Sequence, residues 1–173
     1  CKWALSNEDI SEYNSILDIG CGGGWGLDYL SKLAKHGIIQ GIDQSPASIR
    51  NSKRYNSRKV RKKIIVLTEG NACSMPYEDG VFDLVTMTET LPFVDDVKTL
   101  FDEISRVTKQ GGKFIISNEE QTPDGYENWA KLQEKKIYHD YEIKKFMQNV
   151  GFSDITINNH ENGRWLYVKG IKC

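Results

Sequence analysis

The sequence predicts an α/β protein built on a mostly parallel sheet. Short apolar strand-like segments alternate with helical ones over most of the 173 residues. Continuous apolar strands separated by helices are typical of a parallel sheet that helices cover on both faces. The last two strand-like segments follow each other directly around Asn162-Gly163, which indicates an antiparallel hairpin at the edge of the sheet.

Helix signals separate the strands in the first half of the chain. Leucines recur at helical spacing after the first strand, and Gly37 ends that helix. Ser45 followed by Pro46 is a helix-start signal, because serine caps the first turn and proline suits its first position. This second helix is predicted to run to about Asn56. The strands beside these helices are predicted at residues 15–20, 38–43 and 63–70.

The second half continues the alternation. A helix is predicted from about Val97 to Thr108, ended by Gly111-Gly112, and another over residues 141–150, closing at Gly151. The segment 119–138 is predicted to be irregular and then helical. No repeat or linker divides the chain, so residues 1–173 are predicted to form one domain. The remaining strands are predicted at residues 82–89, 113–118, 154–159 and 164–172.

Composition narrows the possible functions. The chain has 39% hydrophobic and 27% charged residues, ordinary for a globular domain, and a net charge of −1. That charge offers no whole-molecule attraction for nucleic acid or an anionic membrane. There is no apolar run long enough to span a bilayer and no leader sequence, so we expect a cytoplasmic protein, monomeric or homodimeric. The cysteines lack metal-ligand spacing and are expected to be free thiols without a bound metal; they stand at positions 1, 21, 73 and 173.

The stretch "ILDIGCGGGWGLDYL" at residues 16–30 indicates a ligand-binding loop. Glycines let the backbone turn tightly and approach a ligand, and the next helix offers unpaired N–H groups. The dinucleotide fingerprint needs glycine where Trp25 and Leu27 stand, and no Gly-Lys-Ser/Thr of a phosphate-binding P-loop follows. The pattern present is Asp18-x-Gly20-x-Gly22-x-Gly24.

Asp43 ends the second predicted strand, about 20 residues after the glycine loop. A carboxylate at this position can accept hydrogen bonds from both hydroxyls of a ribose. Ser45 already serves as the helix cap, so capping does not account for Asp43. The sequence therefore predicts a nucleoside-type ligand.

Several blocks of the sequence together resemble the class I S-adenosylmethionine-dependent methyltransferases, particularly their small-molecule branch. The blocks are "LDIGCGGG", "EGNACSMPYEDGVFDLVTMTETLPFVDD" and "EISRVTKQGGKFIISN", in the family's order and spacing. The resemblance extends from Ile16 through the terminal hairpin. It implies a Rossmann-like, doubly wound seven-stranded sheet, with S-adenosylmethionine as cofactor and S-adenosylhomocysteine as product.

The resemblance also implies roles for individual residues. The first group surrounds the methionine part of the cofactor, the second holds the ribose and the adenine, and the third lies under the sulfonium and faces the acceptor. The first group is Asp18 with the backbone of Gly20, Cys21, Gly22 and Gly24; the second is Asp43, Gln44, Asn71 and Ala72; the third is Thr88 and Glu89.

The acceptor is predicted to be a small or medium-sized organic molecule. The fourth strand ends in "TETLPF" rather than the Asn/Asp-Pro-Pro-Tyr/Phe of resembling enzymes that methylate nucleobase or glutamine nitrogen, which argues against DNA and against amino-methylated RNA. The acceptor pocket would be built from the N-terminal segment 1–14, residues 88–96 and an insert at 119–140. That insert carries Tyr126, Trp129 and Tyr138, which could line a pocket or pack a helix.

Catalysis by in-line displacement needs positioning above all, and a general base only for a protonated acceptor. Glu89 is the candidate base, with Tyr126 and His139 less convincing because His139 suits a helix cap. His36 and His160 are expected to be structural or exposed. Trp3 either lies over the cofactor cleft or packs in the core, and the core is favoured.

Two alternatives remain open. The run "KRYNSRKVRKK" at residues 53–63 could contact RNA, which would suit an RNA methyltransferase. It is more simply interpreted as a solvated helix end and loop. The chain could also be a non-catalytic module that binds S-adenosylmethionine and controls a protein partner.

Overall fold

A computed structural model describes residues 2–6, 8–119, 138–160 and 165–173. It has seven strands: β1 Ser15–Ile19, β2 Ile38–Asp43, β3 Ile65–Glu69, β4 Phe82–Thr88, β5 Thr108–Glu119, β6 Phe152–Asn159 and β7 Trp165–Lys172. The helices are α1 Lys2–Ser6, α2 Trp25–Leu33, α3 Pro46–Tyr55, α4 Ser57–Arg61, α5 Val97–Val107 and α6 Asp140–Asn149, with a 3₁₀ turn at Leu91–Phe93.

The strands form one sheet in the order β3-β2-β1-β4-β5-β7-β6. The five strands from β1 to β5 pair in parallel, while β7 runs antiparallel to both β5 and β6. The predicted Rossmann-like sheet with a terminal antiparallel hairpin is therefore confirmed. The division into one domain with an N-terminal segment and an insert stays a prediction.

Both faces of the sheet are buried. Successive residues of a strand point to opposite faces, so Ile16 and Leu17 of β1 belong to two different apolar clusters. One cluster packs β-strand side chains against α5 and α6, with Phe101 and Phe114 in edge-to-face contact at 5.9 Å. The other includes Leu27 of α2. This two-sided burial explains the continuous apolar strands.

The helix signals were interpreted correctly at α3. The Ser45 side chain accepts a hydrogen bond from the Ser48 N–H at 3.3 Å, and Pro46 is the first helical residue. The basic run was expected to be a helix end and loop, but the structure forms the further helix α4 within it. The backbone N–H of Asn56 still bonds within α3, while its carbonyl begins α4.

The helix predicted from about Val97 to Thr108 is confirmed as α5, but Gly111-Gly112 does not end it. Helix α5 ends at Val107, and β5 begins at once because Thr108 pairs with Phe82 of β4. The register then shifts before Lys113, and Gly111 takes φ +73° within this irregular stretch. The two glycines therefore lie in an irregular part of β5, where the pairing register with β4 shifts. Residues 120–137, and Asn162-Gly163 of the hairpin, lie outside the described residues.

Candidate cofactor and acceptor site

A cleft of about 740 Å³ opens at the carboxyl ends of the parallel strands. It lies where β1 stands between β2 and β4, which is the point at which the strand order reverses. Open α/β sheets bind ligands at this point, because the loops there diverge to opposite faces. The cleft brings together seven predicted site residues: Gly20, Gly22, Asp43, Gln44, Asn71, Ala72 and Glu89. Four others do not line it: Asp18, Cys21, Gly24 and Thr88.

The glycine loop is fastened to the end of β2. The N–H groups of Gly20 and Cys21 both donate to the Ile42 carbonyl, at 2.8 and 3.1 Å. Gly20 has φ +68°, and a Cβ there would lie 2.2 Å from the Thr90 hydroxyl oxygen. Glycine is required at this position because the loop closes directly on Thr90.

Other glycines in the loop have different roles. Gly22 has φ +52°, and a Cβ there would meet nothing within 4 Å, so the loop presents bare backbone to the cleft. A Cβ on Gly24, at φ +84°, would lie 2.2 Å from the Ser52 hydroxyl oxygen. The Asn56 amide donates to the Gly24 carbonyl at 2.8 Å. Gly24 thus allows α3 to pack against the start of α2.

Asp43 stands at the cleft with its carboxylate held in place. One oxygen accepts the Gly22 N–H and the other accepts the Ser45 N–H, both at 2.9 Å. A carboxylate oxygen can accept two hydrogen bonds, so each oxygen retains a lone pair. A ribose diol offers two adjacent hydroxyl donors. The carboxylate therefore fits the ribose of an adenosine cofactor.

Asp18 is buried behind the loop. Its carboxylate accepts the Thr86 hydroxyl at 2.8 Å across the β1–β4 pair. Burial raises the pKa of Asp18 to about 6; the hydrogen bond from Thr86 opposes this rise and the Asp43 charge adds to it. Cys21 is also buried, and burial raises the pKa of its thiol. Both side chains lie beneath the cleft floor.

The loop after β3 supplies the opposite wall. Asn71 is exposed there, and its side-chain oxygen accepts the Cys73 N–H at 2.9 Å. The loop is anchored further along by Glu103 of α5, which accepts the Met75 N–H at 2.7 Å. Arg106 of α5 donates to the Tyr77 and Met75 carbonyls. Two side chains of α5 thus anchor the loop that forms this wall.

Glu89 directly follows β4, is half-buried and lines the cleft. Its φ of +54° is unusual for a residue with a side chain, and its N–H donates to the Ser117 carbonyl at 3.0 Å. Non-glycine residues in this region cost free energy and concentrate at functional sites. Beyond Glu89 the wall continues through Phe93, Val94 and the acidic pair Asp95 and Asp96.

Sequence reasoning missed five lining residues: Ile42, Ser45, Ser48, Gly70 and Cys73. Ser45 was interpreted only as a helix cap. The spacing was the available signal, because residues three apart share a helix face and the cap itself lies at the cleft. Thr90 belongs to the predicted acceptor wall, but its contact with Gly20 could not be read from the sequence.

The remaining candidates lie away from the cleft. Trp3 packs edge-on against His160 and Tyr167, with ring centroids 5.0 and 6.3 Å apart, so its favoured core position is confirmed. His139 is the N-cap residue of α6, and its backbone N–H donates to the Glu142 carboxylate at 2.9 Å. Tyr138 packs in the core with Phe146. His36 is exposed, and Tyr126 and Trp129 lie outside the described residues.

The sheet order, the glycine loop and the carboxylate at the end of β2 define a nucleoside-binding α/β protein of the Rossmann-like class. Residues 17–116 match the family described as a methyltransferase domain. The chain belongs to this family, and it is a class I S-adenosylmethionine-dependent methyltransferase.

Two relatives are demethylmenaquinone methyltransferases. The one from Oceanobacillus iheyensis is 24% identical over 99% of this chain and 83% of its own length. The one from Halalkalibacterium halodurans is 31% identical over 99% of this chain and 80% of its own. These relatives cover the chain almost completely, in agreement with a methyltransferase fold from the first helix to the hairpin.

Solved structures share the fold at lower identity. Phosphoethanolamine N-methyltransferase 2 from Haemonchus contortus, in complex with S-adenosyl-L-methionine, has a TM-score of 0.80 at 16% identity, covering 99% of this chain and 55% of that one. Geranyl diphosphate C-methyltransferase from Streptomyces coelicolor, with S-adenosyl-L-homocysteine, has a TM-score of 0.81 at 16% identity, covering 92% and 70%.

Two further observations concern the described ranges only. No helix within them is long and apolar enough to cross a membrane. The same residues contain no group of three or more His, Cys, Asp or Glu that could hold a metal ion. Three described cysteines, Cys21, Cys73 and Cys173, are free thiols.

Proposed function

We propose that this methyltransferase transfers its methyl group to a small or medium-sized organic acceptor that carries no phosphate. One observation carries the proposal: a single cleft runs from Asp43 past Glu89 to Phe93 and Val94. Such a cleft can hold an adenosine at one end and an acceptor against an apolar wall at the other. The relatives' named acceptor, demethylmenaquinone, supports an acceptor of this kind.

The charge of the lining supports the exclusion of phosphate. Among the described residues that line the cleft, four are acidic and none is lysine or arginine. Carboxylates repel an anionic acceptor and leave its phosphates without cationic partners. The acidic residues are Asp43, Glu89, Asp95 and Asp96.

The bound cofactor supplies a methyl group already activated by a positive sulfonium. The protein's part is therefore mainly to hold the two reactants in line. In this proposal Asp43 holds the ribose, the bare backbone at Gly22 lets the cofactor approach, and Asn71 with Ala72 borders the adenine. Asp18 and Cys21 support the loop from beneath.

Glu89 is proposed to face the acceptor. Its backbone strain and half-buried position are typical of a side chain held for function. If the acceptor binds protonated, the Glu89 carboxylate accepts that proton during transfer. Glu89→Gln should then lower kcat while leaving the affinity for S-adenosylmethionine unchanged, and the pH dependence of kcat should change.

Calorimetry with S-adenosylmethionine and S-adenosylhomocysteine tests cofactor binding. Asp43→Ala should weaken it by about 10- to 100-fold, since hydrogen bonds to a charged group contribute about 1.5–3 kcal/mol. Asp102→Ala is the matched control, because Asp102 is exposed on α5, does not line the cleft and pairs with Lys98. No binding by the unmodified protein would refute the cofactor site.

Transfer of a labelled methyl group to paired acceptors tests the acceptor class. We expect label on a demethylated quinol, or on the phosphate-free member of the pairs ethanolamine and phosphoethanolamine, geraniol and geranyl diphosphate. Label on the phosphorylated members alone would contradict the proposal. Cofactor binding without transfer to any component of a cell extract would favour the non-catalytic module. The cytoplasmic location and the monomeric or dimeric state stay predictions.

A further inference from the structure

The positive charges of this protein are concentrated on one surface. Residues 44–68 contain eight lysines and arginines and no acidic residue. The rest of the chain has fifteen basic and twenty-four acidic residues, a net charge of −9. We call the exposed cations of α3, α4 and the following turn the basic face: Arg50, Lys53, Arg54, Arg58, Arg61, Lys62 and Lys63.

Within the described part of the chain, no carboxylate pairs with the basic face. All seven side chains are exposed, and none forms an ion pair with another described residue. The eighth cation, Lys59, differs from them: it is half-buried and bonds to Asp28 at 2.5 Å and to the Ser31 hydroxyl at 2.6 Å. One cation thus fastens α4 to α2, and seven face solvent.

Two exposed aromatic side chains lie on α3 and on α2, the helix to which Lys59 fastens α4. Tyr55, the last residue of α3, is 57% exposed, and Trp25, the first residue of α2, is 46% exposed. Trp25 stacks on Tyr29 one turn along α2, and Asp28 between them receives Lys59 from α4. Tryptophan and tyrosine beside cations are typical of surfaces that lie at the boundary between lipid headgroups and water.

Only the beginning of the basic face lies near the cleft. Helix α3 begins at Pro46, next to Ser45, and Ser48 of its first turn lines the cleft. Arg50 follows two residues later. The chain then returns to the opposite edge of the sheet, because β3 is parallel to β2 and the Ile64 carbonyl accepts the Ile39 N–H at 2.9 Å near the start of β2. Lys62 and Lys63 therefore lie at the amino ends of these strands, away from the cleft.

We propose that the basic face docks the protein on an anionic lipid surface. A net charge of −1 does not prevent this, because at physiological salt a surface acts only on charges within about 8 Å. An RNA strand running on into the cleft would meet the carboxylates of Glu89, Asp95 and Asp96, whereas a lipid surface stays outside.

Vesicle sedimentation tests the proposal with the full chain. We expect binding to vesicles that contain phosphatidylglycerol, none to pure phosphatidylcholine, and release as salt is raised. Lys53→Glu/Arg54→Glu should weaken binding at least about tenfold, because each cation near an anionic surface contributes measurably to attraction. The matched control is Lys144→Glu/Lys145→Glu, which reverses two equally exposed cations on α6.

Absence of binding to phosphatidylglycerol vesicles would overturn the proposal, and so would an equal loss of binding in the control variant. It would also be overturned if Lys53→Glu/Arg54→Glu weakened binding to an RNA oligonucleotide but left vesicle binding unchanged. Circular dichroism and S-adenosylmethionine calorimetry on each variant check folding and the cleft. The test does not depend on the proposed acceptor, because vesicle binding is measured without methyl transfer.

Discussion

Gly20 shows at the scale of one residue why this loop is rich in glycine. A side chain at Gly20 would need both a positive φ and space that Thr90 occupies. Gly20→Ala should lower the free energy of unfolding by about 1–3 kcal/mol from the backbone conformation alone, and more from the contact. Urea denaturation measures this effect.

Gly23→Ala is the control for Gly20→Ala. A Cβ at Gly23 meets nothing within 4 Å, and its φ lies outside the left-handed region. Its stability should stay within about 0.5 kcal/mol of the unmodified protein. Equal destabilisation by the two substitutions would mean that the contact with Thr90 does not determine the loop.

Asp18 makes stability depend on pH in a direction opposite to most carboxylates. Its pKa is about 6 in the folded protein, against about 3.9 in an unfolded chain. Between these values the folded state holds more protons, so the contribution of Asp18 to stability falls as pH rises. Above pH 6 the stability lost through Asp18 approaches roughly 3 kcal/mol, because its folded and unfolded pKa values differ by about two units.

Urea denaturation of Asp18→Asn between pH 3.5 and 7 is the measurement, a range set by the two pKa values of about 3.9 and about 6. The stability of the unmodified protein relative to this variant should decrease across that range. Asp102→Asn, on the exposed face of α5, should show no such relative change. A relative increase with pH would show that Asp18 is stabilised as a carboxylate.

Helix α5 acts at the scale of an element, because Arg106 fixes the loop after β3. Its guanidinium donates to the Tyr77 carbonyl at 2.7 Å and the Met75 carbonyl at 3.0 Å, and pairs with Glu103 at 2.6 Å. Lysine cannot make these bonds together. Arg106→Lys should cost about 1–3 kcal/mol of stability and weaken cofactor binding.

Lys98→Ala is the control on the same helix. Lys98 forms an exposed pair with Asp102 one turn away, and solvent screens such pairs so that they contribute little to stability. Thermal denaturation and calorimetry with S-adenosylmethionine compare the two variants. Unchanged cofactor affinity in Arg106→Lys would show that the wall containing Asn71 holds its position without this anchor.

The elements that the sequence predicted best have strong local signals. Strand β2 has its predicted bounds, Ile38–Asp43, because an apolar run there is followed directly by a cap and a proline. Gly111-Gly112 was interpreted as a helix end, but paired glycines also occur where a strand is irregular. Whether Thr108 continues a helix or pairs with Phe82 depends on a strand 26 residues earlier, which local signals do not reveal.

At the scale of the whole molecule, Glu8 joins the N-terminal segment to the far strands. Its buried carboxylate accepts the Tyr167 hydroxyl at 2.8 Å and the Lys169 ammonium at 2.5 Å, with Lys113 at 3.5 Å. Burial favours a higher pKa, but the hydrogen bonds from Lys169 and Tyr167 outweigh it and hold the pKa of Glu8 below its usual value. This contact closes the N-terminal segment over β5 and β7.

Glu8→Gln should lower stability by about 1–3 kcal/mol, because it leaves partly buried ammonium groups without their counter-charge. The segment before β1 should also become the first site of limited proteolysis. Because folding lowers this pKa, the stabilisation holds above the unfolded pKa and is lost as pH falls through the folded one. Glu78→Gln, at an exposed position, is the control and should change neither property.

The sequence by itself determined the alternation of strands and helices, the glycine loop and the carboxylate at the end of β2. These follow from periodicity, glycine conformation and helix capping, which depend on residues close together in the chain. Only the tertiary structure decided that Gly20 closes on Thr90 and that Gly24 packs against Ser52. Those contacts join residues far apart in the chain, and the sheet order alone brings them together.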